Sequence, residues 1–215
     1  MMMRKRDILT KIEESGLVAV VRADHADQAK RITEAAMKGG VVSIEITYTV
    51  SGATDVIKEL GTEFGDDLIV GAGTVLDAAT ARIAILAGAK YIVSPYLDEE
   101  TARLCNRYQI PYMPGVMTIK DVVHGLECGA EVLKVFPGEL MGPKVIKAIK
   151  GPIPQANLMP TGGVSVDNVA DWIRAGAVAV GAGGSLIGKP DEDGYEKITE
   201  TAKQFIEQIK FARNE

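Results

Sequence analysis

Two charged residues of this chain lie in runs where a folded protein has little use for charge. Lys134 sits within Glu131-Val-Leu-Lys-Val-Phe-Pro137, and Glu45 within Ser43-Ile-Glu-Ile-Thr-Tyr-Thr49. Strand alternation puts Val132, Lys134 and Phe136 on one face with Leu133 and Val135 on the other; Ser43, Glu45 and Thr47 likewise share a face opposite Ile44 and Ile46. A buried ammonium is costly unless it is paired or neutral. A neutral lysine can attack a carbonyl as the free amine and form a Schiff base. The plain alternatives are a structural ion pair or a strand-end lysine reaching solvent. The carboxylate is equally ambiguous: it is the counter-ion of Lys134 or a general acid/base. Each charge makes the other easier to explain.

Other residues suit anion binding. Two glycine pairs stand in Pro160-Thr-Gly-Gly-Val164 and Gly181-Ala-Gly-Gly-Ser185, where bare backbone N–H groups can converge on a phosphate and Ser185 can add a hydroxyl. Thr74 in Gly71-Ala-Gly-Thr-Val75 and Arg22 in Val20-Val-Arg22 end apolar runs. Arg22 reads as an anion contact or a surface arginine. His25, His124, Cys105 and Cys128 have no metal-ligand spacing, and no Ser/His/Asp set stands out, so no metal and no cofactor is expected. His25 reads as loop surface, His124 as an ordinary helix residue, and the cysteines as core filler.

The elements that carry these residues repeat. Amphipathic stretches end in glycine at Gly39-Gly40, Gly88, Gly129 and Gly176, and a short aliphatic run follows each one. Glycine takes the left-handed cap conformation without steric cost, so these are helix-to-strand junctions. Strands are expected near 17–21, 42–47, 68–71, 91–94, 112–114, 132–135, 157–160 and 177–180. Helices are expected near 26–38, 53–60, 78–87, 99–108, 119–127, 143–149, 166–175 and 195–212, with one more at 5–14. Alternating β and α elements make a parallel sheet, and eight units in 215 residues point to a small α/β fold: a single (β/α)8 TIM barrel domain over 1–215 with an extra N-terminal helix. An open doubly wound sheet is the rival, but no GxGxxG turn follows the first strand. In a barrel, catalytic groups gather where strands end, and the glycine pairs fall after strands seven and eight, where phosphate commonly sits.

Composition sets limits. The chain is 47% hydrophobic and carries a net charge of −5, which argues against nucleic acid or an anionic membrane as partner. No apolar run approaches the ~18 residues of a span. Two distant cysteines suit a reducing cytoplasm, which is the expected location. The Arg4-Lys5-Arg6 cluster reads as the solvated start of a helix.

The ordered set Val18–Arg22, Glu45-Ile-Thr47, Gly71-Ala-Gly-Thr-Val75, Ser94-Pro95, Pro114-Gly-Val116, Leu133-Lys-Val-Phe-Pro137, Gly151-Pro152 and Pro160-Thr-Gly-Gly163 resembles the 2-keto-3-deoxy-6-phosphogluconate (KDPG) and 4-hydroxy-2-oxoglutarate (KHG) aldolase family. The resemblance runs from about Gly16 to Ile187. It implies a class I aldolase of the Entner–Doudoroff pathway, a homotrimer acting on a 2-keto acid to release pyruvate. It implies Lys134 as the Schiff-base lysine and Glu45 as the general acid/base. It implies substrate binding by Arg22, Thr49, Thr74, Pro95, Phe136, Thr161, Gly162, Gly163, Gly184 and Ser185. Two departures bear on substrate preference. Thr49 stands where many members have a carboxylate-binding arginine, with Arg22 as the substitute charge. Tyr96 follows Ser94-Pro95 where many have glycine. A phosphosugar isomerase or epimerase on the same barrel, and a non-catalytic sugar-phosphate sensor, remain the other readings.

Overall fold

A computed structural model describes residues 4–214. Helix α1 (Lys5–Ser15) ends at Gly16, whose φ of 72° lets the chain turn sharply into β1 (Leu17–Val21). Then follow α2 (Ala26–Lys38), β2 (Ser43–Thr47), α3 (Ala53–Phe64), β3 (Ile69–Gly73), α4 (Ala78–Ala87), β4 (Ile92–Val93), α5 (Glu99–Tyr108), β5 (Tyr112–Met113), β6 (Gly115–Val116) and α6 (Ile119–Glu127). The remainder is β7 (Leu133–Val135), α7 (Lys144–Lys150), β8 (Leu158–Pro160), α8 (Val169–Arg174), β9 (Val180–Ala182), α9 (Gly184–Ile187), α10 (Pro190–Asp193) and α11 (Tyr195–Arg213).

Side chains start several of these helices as the sequence demands. Asp77 and Asp98 accept from the backbone N–H of Thr80 and Thr101, and Thr118 with Asp121 forms a capping box on α6. His25, expected to be loop surface, caps α2 by accepting the Gln28 N–H on Nδ1. The junction glycines Gly40, Gly88, Gly129 and Gly176 have φ of 95°, 107°, 83° and 106°, a region other residues rarely enter.

All strand pairs are parallel. Six strands form a curled sheet in the order β5-β4-β3-β2-β1-β9, and three form a second in the order β6-β7-β8. The expected single strand at 112–114 is thus two pieces, split at Pro114, which has no N–H to give a ladder. The last strand lies later than the 177–180 expected for it, because Gly181 and Ala182 pair with Val18 and Ala19 instead of opening a loop. Thr161 also forms a bridge with Gly181, joining the end of β8 to β9.

Alternation gives the strands two buried faces with separate apolar cores. The convex face, with Ala19, Ile44, Ile46, Val70, Leu133 and Leu158 among its residues, packs on helices through Ile32, Leu60, Trp172 and Phe205. On the concave face, Val18, Ile69, Tyr91, Val93, Met113, Val132, Met159 and Ala179 cluster with Ile8, Leu9 and Ile12 of α1. Helix α1 therefore packs at the end where most strands begin. Its Lys5, expected to be solvated, pairs with Glu131 at 2.9 Å. Of the two cysteines, Cys105 is core and Cys128 only partly buried.

Two outcomes follow from this packing. Ile12→Ala leaves a void under the concave face and should cost about 2–5 kcal/mol of unfolding free energy, read as a lower urea midpoint at unchanged slope. Burial pushes the Cys105 thiol and the Tyr112 phenol both up to about 12 from ordinary values of 9.0 and 10.0. Folded values above the unfolded ones mean that this stability is whole below about pH 9 and is lost as the pH climbs toward 12. Urea midpoints should fall across that window, and Tyr112→Phe should flatten the upper part of the fall.

Candidate active site

Glu45 and Lys134 come from facing strands and meet on the concave face. The register sets Glu45 level with Val20 on one side and Gly71 on the other, while Lys134 lies between Gly115 and Met159. The Lys134 Nζ stands 3.9 Å from Glu45 Oε1, with the two side chains 5% and 1% exposed. That separation holds opposite charges together but is too long for a hydrogen bond. Both carboxylate oxygens of Glu45 lack a hydrogen bond to another protein group. The pair is thus electrostatically matched yet leaves its hydrogen-bonding capacity free for a reacting molecule.

The space for this carboxylate is carved by a glycine. A side chain at Gly73 would collide with Glu45 Oε1, Cδ and Cγ. The next residue, Thr74, holds a φ of 55°, a left-handed conformation that costs a non-glycine residue of order 1–3 kcal/mol and clusters at functional sites.

A pocket of about 500 Å³ opens at the ends of β1, β8 and β9, lined by neither Lys134 nor Glu45. Phe136 connects pocket and pair: its ring lies 5.0 Å from Lys134 Nζ and also lines the pocket. Gly162 and Gly163 form one wall, with φ of 93° and 70°, a pair of left-handed residues only glycine supplies cheaply. Gly184 and Ser185 form the facing wall. The Ser185 hydroxyl donates to the Val164 carbonyl, so it clamps the two glycine loops together. Thr161 is 6% exposed and lines the pocket with an Oγ1 that has no partner. Arg22, exposed, lines this pocket and a neighbouring one of about 440 Å³ that also takes Thr49 and Lys189.

Five sequence candidates do not line the glycine-walled pocket: Glu45 and Lys134 themselves, and Thr49, Thr74 and Pro95. Thr49 lines only the neighbouring pocket, its Oγ1 2.7 Å from Thr47 Oγ1. Thr74 and Pro95 follow β3 and β4 at the strand ends but do not line it. Sequence reasoning missed Glu139, whose side chain lies against Gly162 and Gly163 and lines the pocket. It falls in a 3-10 turn (Gly138–Leu140) just after Phe136-Pro137, and only the fold brings that turn to the β8 loop. His124 pairs with Glu99 at 3.0 Å, away from this centre. Among the described residues no group of three or more His, Cys, Asp or Glu is placed to hold a metal ion.

Comparison with known proteins gives the family and the fold. The family model for KDPG and KHG aldolase matches residues 8–201. The chain is 31% identical over 208 residues to the 2-dehydro-3-deoxy-phosphogluconate aldolase of Haemophilus influenzae, covering 95% of this chain and 98% of that one. It is 33% identical over 198 residues to the KHG/KDPG aldolase of Escherichia coli K12, covering 90% and 92%. The structure of the Legionella pneumophila KDPG aldolase, with pyruvate captured as a covalent carbinolamine intermediate, superposes with a TM-score of 0.84 at 26% identity, covering 94% and 97%.

The Gly73–Glu45 contact is directly measurable. Gly73→Ala should cost about 1–3 kcal/mol of stability by overpacking. In a Glu45→Ala background the same change should cost little, because the group it collides with is gone. A double-mutant cycle by urea unfolding reads the difference; equal costs in both backgrounds would remove the contact from the site.

Proposed function

This chain belongs to the KDPG and KHG aldolase family, and we propose that Lys134 and Glu45 perform its class I, Schiff-base chemistry. The observation that carries the reading is the buried pair itself, held at 3.9 Å with both carboxylate oxygens of Glu45 free of protein hydrogen bonds. The reaction is cleavage of 2-keto-3-deoxy-6-phosphogluconate to pyruvate and glyceraldehyde 3-phosphate. 4-Hydroxy-2-oxoglutarate, a second substrate, gives pyruvate and glyoxylate.

The Lys134 amine adds to C2 of the keto acid, and Glu45, holding the proton taken from the Lys134 ammonium, gives it to the carbinolamine hydroxyl, which leaves as water and yields the iminium. Glu45 takes the proton of the C4 hydroxyl, directly or through a water, as that oxygen becomes the aldehyde carbonyl. The C3–C4 bonding electrons pass into the iminium and form an enamine. Glu45 returns the proton to C3, and hydrolysis frees pyruvate and the Lys134 amine. The iminium supplies the electron sink.

The remaining candidates receive roles consistent with their surroundings. The backbone of Gly162, Gly163 and Gly184, with Ser185, binds the phosphate. Thr161 offers its buried hydroxyl to the substrate, Phe136 packs beside the reacting carbon, and Thr74 with Pro95 bounds the pyruvyl end. Arg22 supplies the positive charge that Thr49 does not.

The finer architecture belongs to the same proposal. The chain is a single domain, a closed (β/α)8 barrel plugged by α1. Support comes from the Thr161–Gly181 bridge and from Pro114, which joins β5 of the first sheet to β6 of the second and accepts the Lys134 N–H on its carbonyl. A homotrimer is supported by exposed apolar residues at neighbouring strand ends: Leu76, Tyr96, Met117 and Ile119. Tyr96 donates its hydroxyl to the Leu76 carbonyl, which joins these two residues. A cytoplasmic location fits the unpaired cysteines, and no helix among the described residues is long and apolar enough to cross a membrane.

Borohydride added with pyruvate should leave a covalent adduct on Lys134 of the wild-type protein and none in Lys134→Ala. Release of pyruvate from both substrates should fall on the order of 10⁴-fold or more in that variant. Turnover without a trappable imine would instead favour a phosphosugar isomerase or epimerase. Phosphate-ester binding with neither turnover nor adduct would indicate a sensor.

A further inference from the structure

Below Glu45 the concave face carries two polar groups that the aldol chemistry above does not use. Ser43 and Tyr91 are both fully buried, and the Ser43 hydroxyl donates to the Tyr91 phenol oxygen at 3.0 Å. Their surroundings are apolar: Val18, Ile69, Val93, Met113, Val132 and Met159. A buried hydroxyl pair contributes little net stability, and two apolar side chains of the same shape would serve the core as well. With its oxygen accepting from Ser43, the phenol keeps its own proton for another acceptor.

The position of that phenol is fixed by β3. A side chain at Gly71 would collide with Tyr91 Cε2 and Cζ, and one at Gly73 would collide with the Glu45 carboxylate. Gly71 and Gly73 are successive residues on one face of a strand, about 7 Å apart. The hydroxyl-bearing end of Tyr91 and the carboxylate of Glu45 therefore occupy adjacent places over one strand. Ser43 and Glu45 are likewise adjacent on the same face of β2. Burial first, and the charge of Glu45 second, push the Tyr91 phenol well above its ordinary value, so it stays a donor at any working pH.

We propose that Tyr91, oriented by Ser43, is a positioning residue that gives a hydrogen bond to the inner side of Glu45 and fixes that carboxylate for proton transfer at substrate carbon. The bond forms on a small rotation of the carboxylate or through one water. Glu45 is then held between two groups, the Lys134 ammonium from β7 and the Tyr91 phenol from the entry to β4. The role rests on the aldolase reading given under Proposed function, and it separates two steps. Imine formation centres on Lys134, whereas exchange of the pyruvate C3 protons requires Glu45 to be correctly aimed.

The test is the double variant Ser43→Ala/Tyr91→Phe, which removes both partners at once and leaves no buried hydroxyl unpaired. Borohydride with saturating pyruvate should still trap Lys134 in this variant. Exchange of the pyruvate methyl protons with solvent deuterium, followed by NMR, should slow about tenfold, the worth of one hydrogen bond to a charged group. The exchange rate should also acquire an altered pH profile, which a purely structural pair would not cause. Wild-type exchange and profile in a trappable double variant would overturn the positioning role alone. If the wild-type protein forms no adduct, the aldolase reading fails and this role with it. Should the double variant not fold, Ser43→Ala decides: slower exchange upholds the orientation of Tyr91, and an unchanged rate overturns it.

Discussion

The whole arrangement depends on keeping an ammonium and a carboxylate together inside an apolar face. Removing two charges from water costs several kcal/mol per ion, and their attraction repays this only with good geometry and further hydrogen bonds. Here the second condition is not met within the protein. Lys134 and Glu45 stand at 3.9 Å, and the carboxylate oxygens have no hydrogen-bond donor. A pair selected for stability would close that distance. One that leaves room for a carbinolamine and a travelling proton has reason to stay open.

Room on this face is made by omitted side chains. Gly71 admits the Tyr91 ring, Gly73 the Glu45 carboxylate, Gly115 the backbone of Pro95 and Tyr96, and Gly181 the side chain of Thr161. Three of these four sit within strands, where glycine normally weakens the element, and Gly115 begins one. The loss is offset by the convex core, where Ile44, Ile46, Val70 and their neighbours pack on helices at full aliphatic density. One face holds the fold together so that the other can be hollowed.

Much of this was legible in the sequence because alternation is strict. Placing Lys134 and Glu45 on polar-bearing faces of apolar strands needed only period two, and the four junction glycines marked the ends of α2, α4, α6 and α8. What escaped depended on contacts between strands. Ser43 and Tyr91 read as ordinary strand residues, since nothing local says that the space over Gly71 joins them. Glu139 drew no notice because its meeting with Gly162 and Gly163 spans more than twenty residues. The late start of β9 escaped because Gly181 and Ala182 look like loop and are held in the sheet by β1. The separation of Thr49 from the glycine-walled pocket is of the same kind: it ends the correct strand but turns to a neighbouring hollow.

Charge at the mouth obeys a similar local logic. A chain with a net charge of −5 is expected to take an anionic sugar acid, and the proposed phosphate walls place Glu139 against Gly162 and Gly163. A carboxylate there opposes an anion, so attraction must come from groups nearer than the Debye length of about 8 Å. In the proposed site the backbone N–H dipoles of the glycine loops would meet that need, and the Ser185–Val164 bond ties those loops together. Arg22 adds a full charge at the rim, and under the proposed mechanism Lys134 would carry a second one at depth as the iminium. Glu45 takes no hydrogen bond from another protein group, which leaves its need for a donor unmet. A donor on its inner side, away from the substrate, would meet that need without obstructing the pocket.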